Sequence, residues 1–155
     1  ISPENVEIEI TEESIFEGSQ QTIDALKRLR KAGFELSIDD FGTGHSSLSY
    51  LSKLPVSKLK IDQSFVRALS KSRRNQLIVE STIKLAHSLG LKVIAEGIES
   101  QNNYEMLQSM GCDVGQGYLI AKPMSQPDFE CWLAQFDIAN VIAHSALASP
   151  EPITL

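Results

Sequence analysis

Ser37-Ile38-Asp39-Asp40-Phe41-Gly42-Thr43-Gly44-His45-Ser46-Ser47 is the stretch from which the rest of the chain can be placed. The apolar run from Phe34 to Ile38, interrupted by Glu35 and Ser37, reads as a short buried strand that delivers two adjacent carboxylates where a glycine-rich turn begins. Neighbouring carboxylates disfavour each other's charged form, so an acidic pair at a strand end makes most sense beside a cation. The turn adds two glycines, which tolerate positive φ, and three small hydroxyl residues whose side chains and backbone N–H groups suit an anion. The pattern points to a metal beside a phosphate. The competing reading gives Asp39 and Asp40 to capping of the following turn and helix.

Upstream, Val6, Ile8 and Ile10 alternate with Glu7, Glu9 and Thr11, the period-two pattern of a strand that sets Glu9 on a polar face. Glu12, Glu13 and Ser14 lead into a helix over about Gln20 to Lys31, with Ile23, Leu26 and Leu29 as its apolar stripe and Gly33 as its C-terminal stop. Downstream, a short helix around Leu48 to Leu51 precedes a strand, Lys58 to Asp62, in which Leu59 and Ile61 point one way and Lys60 and Asp62 the other. From residue types alone, Lys60 and Asp62 read as a surface pair. A helix from about Asn75 to Leu89 follows, then the apolar strand Lys92 to Ala95 ending in Glu96-Gly97-Ile98-Glu99. A second strand thus puts a carboxylate at its C-terminal end, where α/β folds place their sites. A helix from Gln101 to Met110, a strand and turn from Cys112 to Tyr118 with Gln116 at its tip, and a last helix capped by Asp128 and running through Trp132 and Phe136 complete the regular part. Residues 1–137 read as one domain, and residues 138–155 as a C-terminal helical extension with a frayed tail.

Strands and helices alternate throughout, with no hairpin signal, which specifies an α/β protein with a parallel sheet. Two architectures remain: an open doubly wound sheet, or part of a (β/α)8 barrel, which typically takes about 250 residues, so that this chain would supply roughly 60%. Composition narrows the function classes. A net charge of -6, with 20 acidic against 14 basic residues, argues against a non-specific nucleic-acid binder. Cys112 and Cys131 and three scattered histidines form no zinc signature, and a reducing cytoplasm is expected. No apolar run is long enough to span a membrane. The chain begins at Ile1 rather than Met, which suggests a piece of something larger.

Five ordered motifs then resemble a known family. Glu9-Ile10-Thr11-Glu12, Asp39-Asp40-Phe41-Gly42-Thr43-Gly44 with Ser46-Ser47-Leu48, Lys60-Ile61-Asp62, Ala95-Glu96-Gly97-Ile98-Glu99 and Gln116-Gly117-Tyr118 are similar to the signatures of the EAL domain, the bacterial cyclic-di-GMP phosphodiesterases and their inactive relatives. The resemblance runs from the first residues to about Trp132. It implies a TIM-like (β/α)8 barrel represented by its last five or so βα units, with the Glu-Ala-Leu strand and a strand carrying a metal-binding Asn lying before Ile1.

The resemblance also implies roles. Glu9, Asp39, Asp40 and Glu96 would ligate two divalent cations, Mg²⁺ or Mn²⁺, for which carboxylate oxygens are suited. Lys60, Glu96 and Asp40 would act in catalysis, Asp62 and Glu99 as supporting acids, and Gln116 as a polar contact to water or substrate. Glu12 would anchor the loop from Phe41 to Ser47 and tie the site to a partner subunit. His45 lies near the mouth of such a site without an assigned role. The function implied is hydrolysis of cyclic di-GMP to the linear dinucleotide, with the isolated segment a poor enzyme. The alternative is a non-catalytic EAL module that binds the dinucleotide or a protein. Expected partners are a second copy in a homodimer or swapped oligomer and N-terminal sensory or GGDEF-type domains, in a cytoplasmic protein tethered or not to the inner membrane by other segments.

Overall fold

The computed structural model describes residues 1–16, 20–44 and 51–136. The expected helix around Leu48 to Leu51, His45 and the extension over 138–155 therefore lie wholly or largely outside the described residues. Five strands form one sheet: β1 (Glu7–Thr11), β2 (Glu35–Phe41), β3 (Lys58–Ile61), β4 (Lys92–Ala95) and β5 (Val114–Gly115). Between and after them run α1 (Glu12–Phe16), α2 (Gln20–Lys31), α3 (Gln63–Arg67), α4 (Arg73–Ser88), α5 (Gln101–Ser109) and α6 (Gln126–Gln135).

The strands lie in the order β1-β2-β3-β4-β5, every neighbouring pair parallel. A doubly wound sheet reverses its order at a switch point; this one winds in one sense from edge to edge, as a (β/α)8 barrel does. The barrel alternative is the one the topology supports, in the form of a partial barrel.

Register explains the two faces. Pairing of Ile10 with Ile38, Ile38 with Leu59 and Leu59 with Val93 carries one apolar row across the sheet. Leu36, Ile38, Leu59, Ile61, Val93 and Ala95 are at most 1% exposed and form one core with Ile23 and Leu26 of α2, Val79, Ile83 and Ala86 of α4, and Tyr104 and Leu107 of α5. Each larger aliphatic side chain so buried contributes about 1.5–3 kcal/mol. The alternate positions, including Glu7, Glu9, Ser37, Lys58 and Lys60, share the opposite face, where Lys58 Nζ pairs with Glu7 Oε2.

Local signals fix the ends. Ser72 and Ser100 cap α4 and α5 by accepting from Asn75 N and Asn103 N, each at 3.3 Å. Asp128 was the expected cap of the last helix, but α6 begins one turn earlier and Ser125 accepts from Asp128 N instead. The last strand is also shorter than expected, because the chain leaves the ladder at Gly115 and turns at Gln116-Gly117.

Candidate active site

Strict alternation would send Asp39 to the polar face and Asp40 into the core. The ladder between β2 and β3 shifts there: Ile38 pairs with Leu59 and Phe41 with Ile61, so Asp39 and Asp40 together oppose Lys60. This is a β-bulge, with Asp40 in the left-handed region at φ 54. Its effect is to return Phe41 to the core, at 8% exposure, while both carboxylates stay at the C-terminal mouth of the sheet. Asp39, Asp40 and Glu96, which follows β4, each place a carboxylate oxygen within 4.8 Å of the others.

Lys60 is 4% exposed, so the surface pairing expected from its residue type does not hold: it projects from β3 into the polar face, which only the assembled sheet creates. Its Nζ lies 2.6 Å from Glu9 Oε1, 2.6 Å from Glu96 Oε1 and 3.3 Å from Asp39 Oδ1. Burial pulls the ammonium's pKa down, but hydrogen bonds to Glu9 and Glu96 and the charges of Glu96 and Asp39 outweigh it and the net shift is upward. Burial raises the pKa of Glu96; Lys60 opposes the shift, and Asp39 and Glu9 add to it. Asp40 is raised by burial first and then by the charges of Asp39 and Asp62. Lys60 thus faces the carboxylates of Glu9, Asp39 and Glu96, and with Asp40 beside them the mouth carries four carboxylates and one ammonium, a surplus of negative charge.

That surplus is the test of fit for a divalent cation. The donors are hard oxygens, as Mg²⁺ and Mn²⁺ prefer, and Asp39 Oδ1 is buried yet accepts no hydrogen bond. The residues fit. Asp39, Asp40 and Glu96 converge, whereas the Glu9 carboxylate is engaged by Lys60 and stands outside that group of three.

The remaining candidate residues frame the mouth. Glu12, the first residue of α1, is 3% exposed, and its Oε2 accepts from Gly42 N at 2.9 Å and Gly44 N at 3.3 Å. Gly42 has φ +103, which a residue with a side chain adopts only at a cost in strain. Asp62 accepts from Ser64 N at 3.0 Å and caps α3. Glu99 pairs with Arg67 at 2.7 Å, and Gln116 lines a pocket together with Glu96 and Glu99. Sequence reasoning missed α3 and Arg67; the signal available was Asp62, a helix-capping residue type, directly ahead of Gln63–Arg67. Among the described residues no helix is long and apolar enough to cross a membrane.

A sequence model of the EAL domain matches residues 1–123. The chain is 43% identical over 128 residues to cyclic di-GMP phosphodiesterase PA2567 of Pseudomonas aeruginosa, covering 83% of this chain and 22% of that protein. Among solved structures, the PaMucR phosphodiesterase in complex with c-di-GMP matches with a TM-score of 0.80 and 37% identity, over 83% of this chain and 52% of that one. Klebsiella pneumoniae BlrP1, in calcium and manganese complexes with the same dinucleotide, matches with a TM-score of 0.73 and 40% identity, over 79% of this chain and 31% of that one. The chain thus spans about a fifth of the length of that curated relative.

Proposed function

The chain belongs to the EAL domain family, and on that premise we propose that the protein carrying it hydrolyses one phosphodiester bond of cyclic di-GMP to give the linear dinucleotide, using two divalent cations, Mg²⁺ or Mn²⁺. The observation that carries the proposal is the convergence of Asp39, Asp40 and Glu96 within 4.8 Å beside buried Lys60 at the C-terminal mouth of a parallel sheet. In this reading Asp39, Asp40 and Glu96, with Glu9 from β1, hold the cations. Bound there, such ions acidify water and offset charge on the phosphodiester oxygens.

The chain's own residues do the rest. Lys60, kept protonated by the surrounding acids, orients Glu9 and Glu96 through its two 2.6 Å contacts and offers positive charge to a phosphoryl oxygen entering the mouth. Asp40 and Glu96 act in catalysis through the carboxylate oxygens they turn toward Asp39, the hard donors that would hold such an ion beside Lys60. Glu12 fixes the start of the loop after β2, so the backbone beside Asp39 and Asp40 is held at a definite distance from β1. Asp62 acts by ordering α3, and Glu99 and Gln116 face the part of the substrate that lies away from the broken bond. The protein carrying the chain works in the cytoplasm as a homodimer or swapped oligomer; that it also carries sensory or GGDEF-type domains is supported by the length of PA2567, of which the match covers 22%.

The test is conversion of cyclic di-GMP by the full-length protein, followed by chromatography. Linear dinucleotide should form with Mg²⁺ or Mn²⁺, stop on chelation, and be lost in Asp39→Asn. Tight binding of cyclic di-GMP with no metal-dependent product would instead establish the non-catalytic effector module.

A further inference from the structure

Every second side chain of β1 and β3 points to the polar face, and in a barrel the inward side chains of alternate strands share a layer. Glu9 and Lys60 meet in the layer at the mouth, with Lys60 Nζ 2.6 Å from Glu9 Oε1. One layer below, on the same two strands, Lys58 Nζ lies 2.5 Å from Glu7 Oε2. The partners are 51 positions apart in each case, so the two ion pairs are parallel rungs, about 7 Å apart along the strands. None of the five EAL-like motifs includes Glu7 or Lys58.

The side chains of β2 leave the lower rung a clear way across. Glu35, beside Glu7 in register, is drawn aside: its Oε1 takes Arg30 Nη1 at 2.5 Å and its Oε2 accepts from Ser57 Oγ at 2.5 Å. Ser37, beside Lys58 in register, is short and fully buried. Lys58 therefore reaches Glu7, and both side chains are left about a quarter exposed (26% and 27%). The partnership is unequal. Glu7 Oε1 is buried and accepts no hydrogen bond, so Lys58 is the one partner Glu7 has among the described residues. Lys58 has a second acid nearby in Glu35, whose carboxyl is held below its usual range by Ser57 and Arg30 first and by the charge of Lys58 as well.

A carboxylate left unpaired and half out of water draws the next ammonium toward it. Without Lys58, the next one on the polar face toward β1 is Lys60, two residues along β3; Lys92, level with Lys58, stands on β4, one strand farther from Glu7. Lys60 moving down to Glu7 would release Glu9 and Glu96. We propose that Lys58 is a positioning residue for the cation site: by occupying Glu7 it keeps Lys60 in the mouth layer, where its two 2.6 Å contacts hold Glu9 and Glu96 in place. The inference rests on the functional reading above and adds to it a residue one layer removed from the carboxylates that would hold the cations.

The experiment is calorimetric binding of Mn²⁺, the ion in one BlrP1 complex, to the full-length protein, together with steady-state kinetics on cyclic di-GMP. Lys58→Met should weaken Mn²⁺ binding about 10-fold, the low end for losing a group that supports metal ligands, and lower kcat by a similar factor with KM within about threefold. Glu7→Gln should stay near wild type, because it removes the competing acid and leaves Lys58 beside Glu35. Glu7→Gln combined with Lys58→Met should therefore return Mn²⁺ affinity and kcat to within about threefold of wild type. A merely structural rung gives no such rescue: the two single variants would suffer alike and the double variant no less. Should Lys58→Met not fold, Lys58→Gln, which keeps a donor for Glu7 without the charge, takes its place with the same expectation. Unchanged Mn²⁺ affinity in the folded Lys58 variant, or a double variant as weak as that variant, overturns the role of Lys58 and leaves the functional reading intact. A wild-type protein that binds Mn²⁺ without hydrolysing cyclic di-GMP overturns the functional reading, and the Mn²⁺ affinities of the variants still decide the role of Lys58. A wild-type protein that binds no Mn²⁺ overturns both.

Discussion

Asp40 is the one non-glycine residue with positive φ among the described residues, at 54, and it sits where two strand residues face a single partner. Asp and Asn tolerate that region because their short polar side chains bond locally, whereas a β-branched residue does not. Asp40→Asn should therefore unfold in urea close to wild type while losing turnover, and Asp40→Val should lose about 1–2 kcal/mol more than Asp40→Asn. Lys60 gives a second residue-scale prediction. Its pKa is raised above the ordinary 10.5, so its stabilising contribution is complete below that value and declines only as pH rises through the still higher folded value. Asp40 and Glu96 are raised above 3.8 and 4.5, so both take up protons earlier on acidification in the folded state. With divalent ions chelated, Lys60→Met should cost about 3 kcal/mol near pH 7.5, the low end for breaking a buried pair. The deficit should shrink as pH falls through the raised carboxylate range, because protonated acids no longer need the ammonium. A deficit independent of pH would show that packing, not charge, dominates at Lys60.

At the scale of elements, amphipathic periodicity made α2, α4 and α5 legible to within two residues at each end, and alternation did the same for β1. The failures have physical causes. α3 is five residues long, too short for a periodic stripe, and its presence depends on Asp62 capping and on Val66 packing into the core at 0% exposure. β5 has two residues because Gly117 takes the chain across the backbone of Ile98: a Cβ added there would meet Ile98 O at 2.2 Å and Ile98 N at 2.3 Å. Around that crossing Ile98 N donates to Gln116 O at 3.1 Å and Leu119 N to Ile98 O at 2.9 Å. Gly117→Ala forces backbone apart, and should cost about 3 kcal/mol or more in denaturant unfolding, at or above the usual ceiling for overpacking. Glu12→Gln is the milder test of the loop, since it keeps an acceptor for Gly42 N and Gly44 N while removing the charge. It should lose about 1 kcal/mol, the difference between a charged and a neutral acceptor.

For the molecule as a whole, the order of elements disclosed a parallel α/β sheet, and only the resemblance chose between barrel and open sheet before the strand order was seen. The site was legible as motifs and illegible as geometry. Lys60 reads as surface from its own strand, because the polar face that buries it is assembled from β1, β2, β3 and the end of β4. His87 likewise finds an acidic partner only in the fold: its Nε2 lies 2.8 Å from Asp113 Oδ2, 26 positions along the chain. Among the described residues β1 and β5 each have one ladder partner, so both outer edges carry unpaired backbone groups. The segment studied by itself should therefore self-associate in sedimentation velocity, and a monodisperse monomer that unfolds cooperatively would count against that. The bulge in β2 bears on how such a protein can change over generations. Removing Asp40 by an in-frame deletion leaves Ile38 and Phe41 on the core side and sets Asp39 alone against Lys60, which regularises the ladder. The deleted chain should unfold at the same or higher urea concentration while its carboxylate cluster is one member short. A lineage can thus shed the chemistry through a single codon and still keep an abundant, well-folded protein free to be recruited for something else.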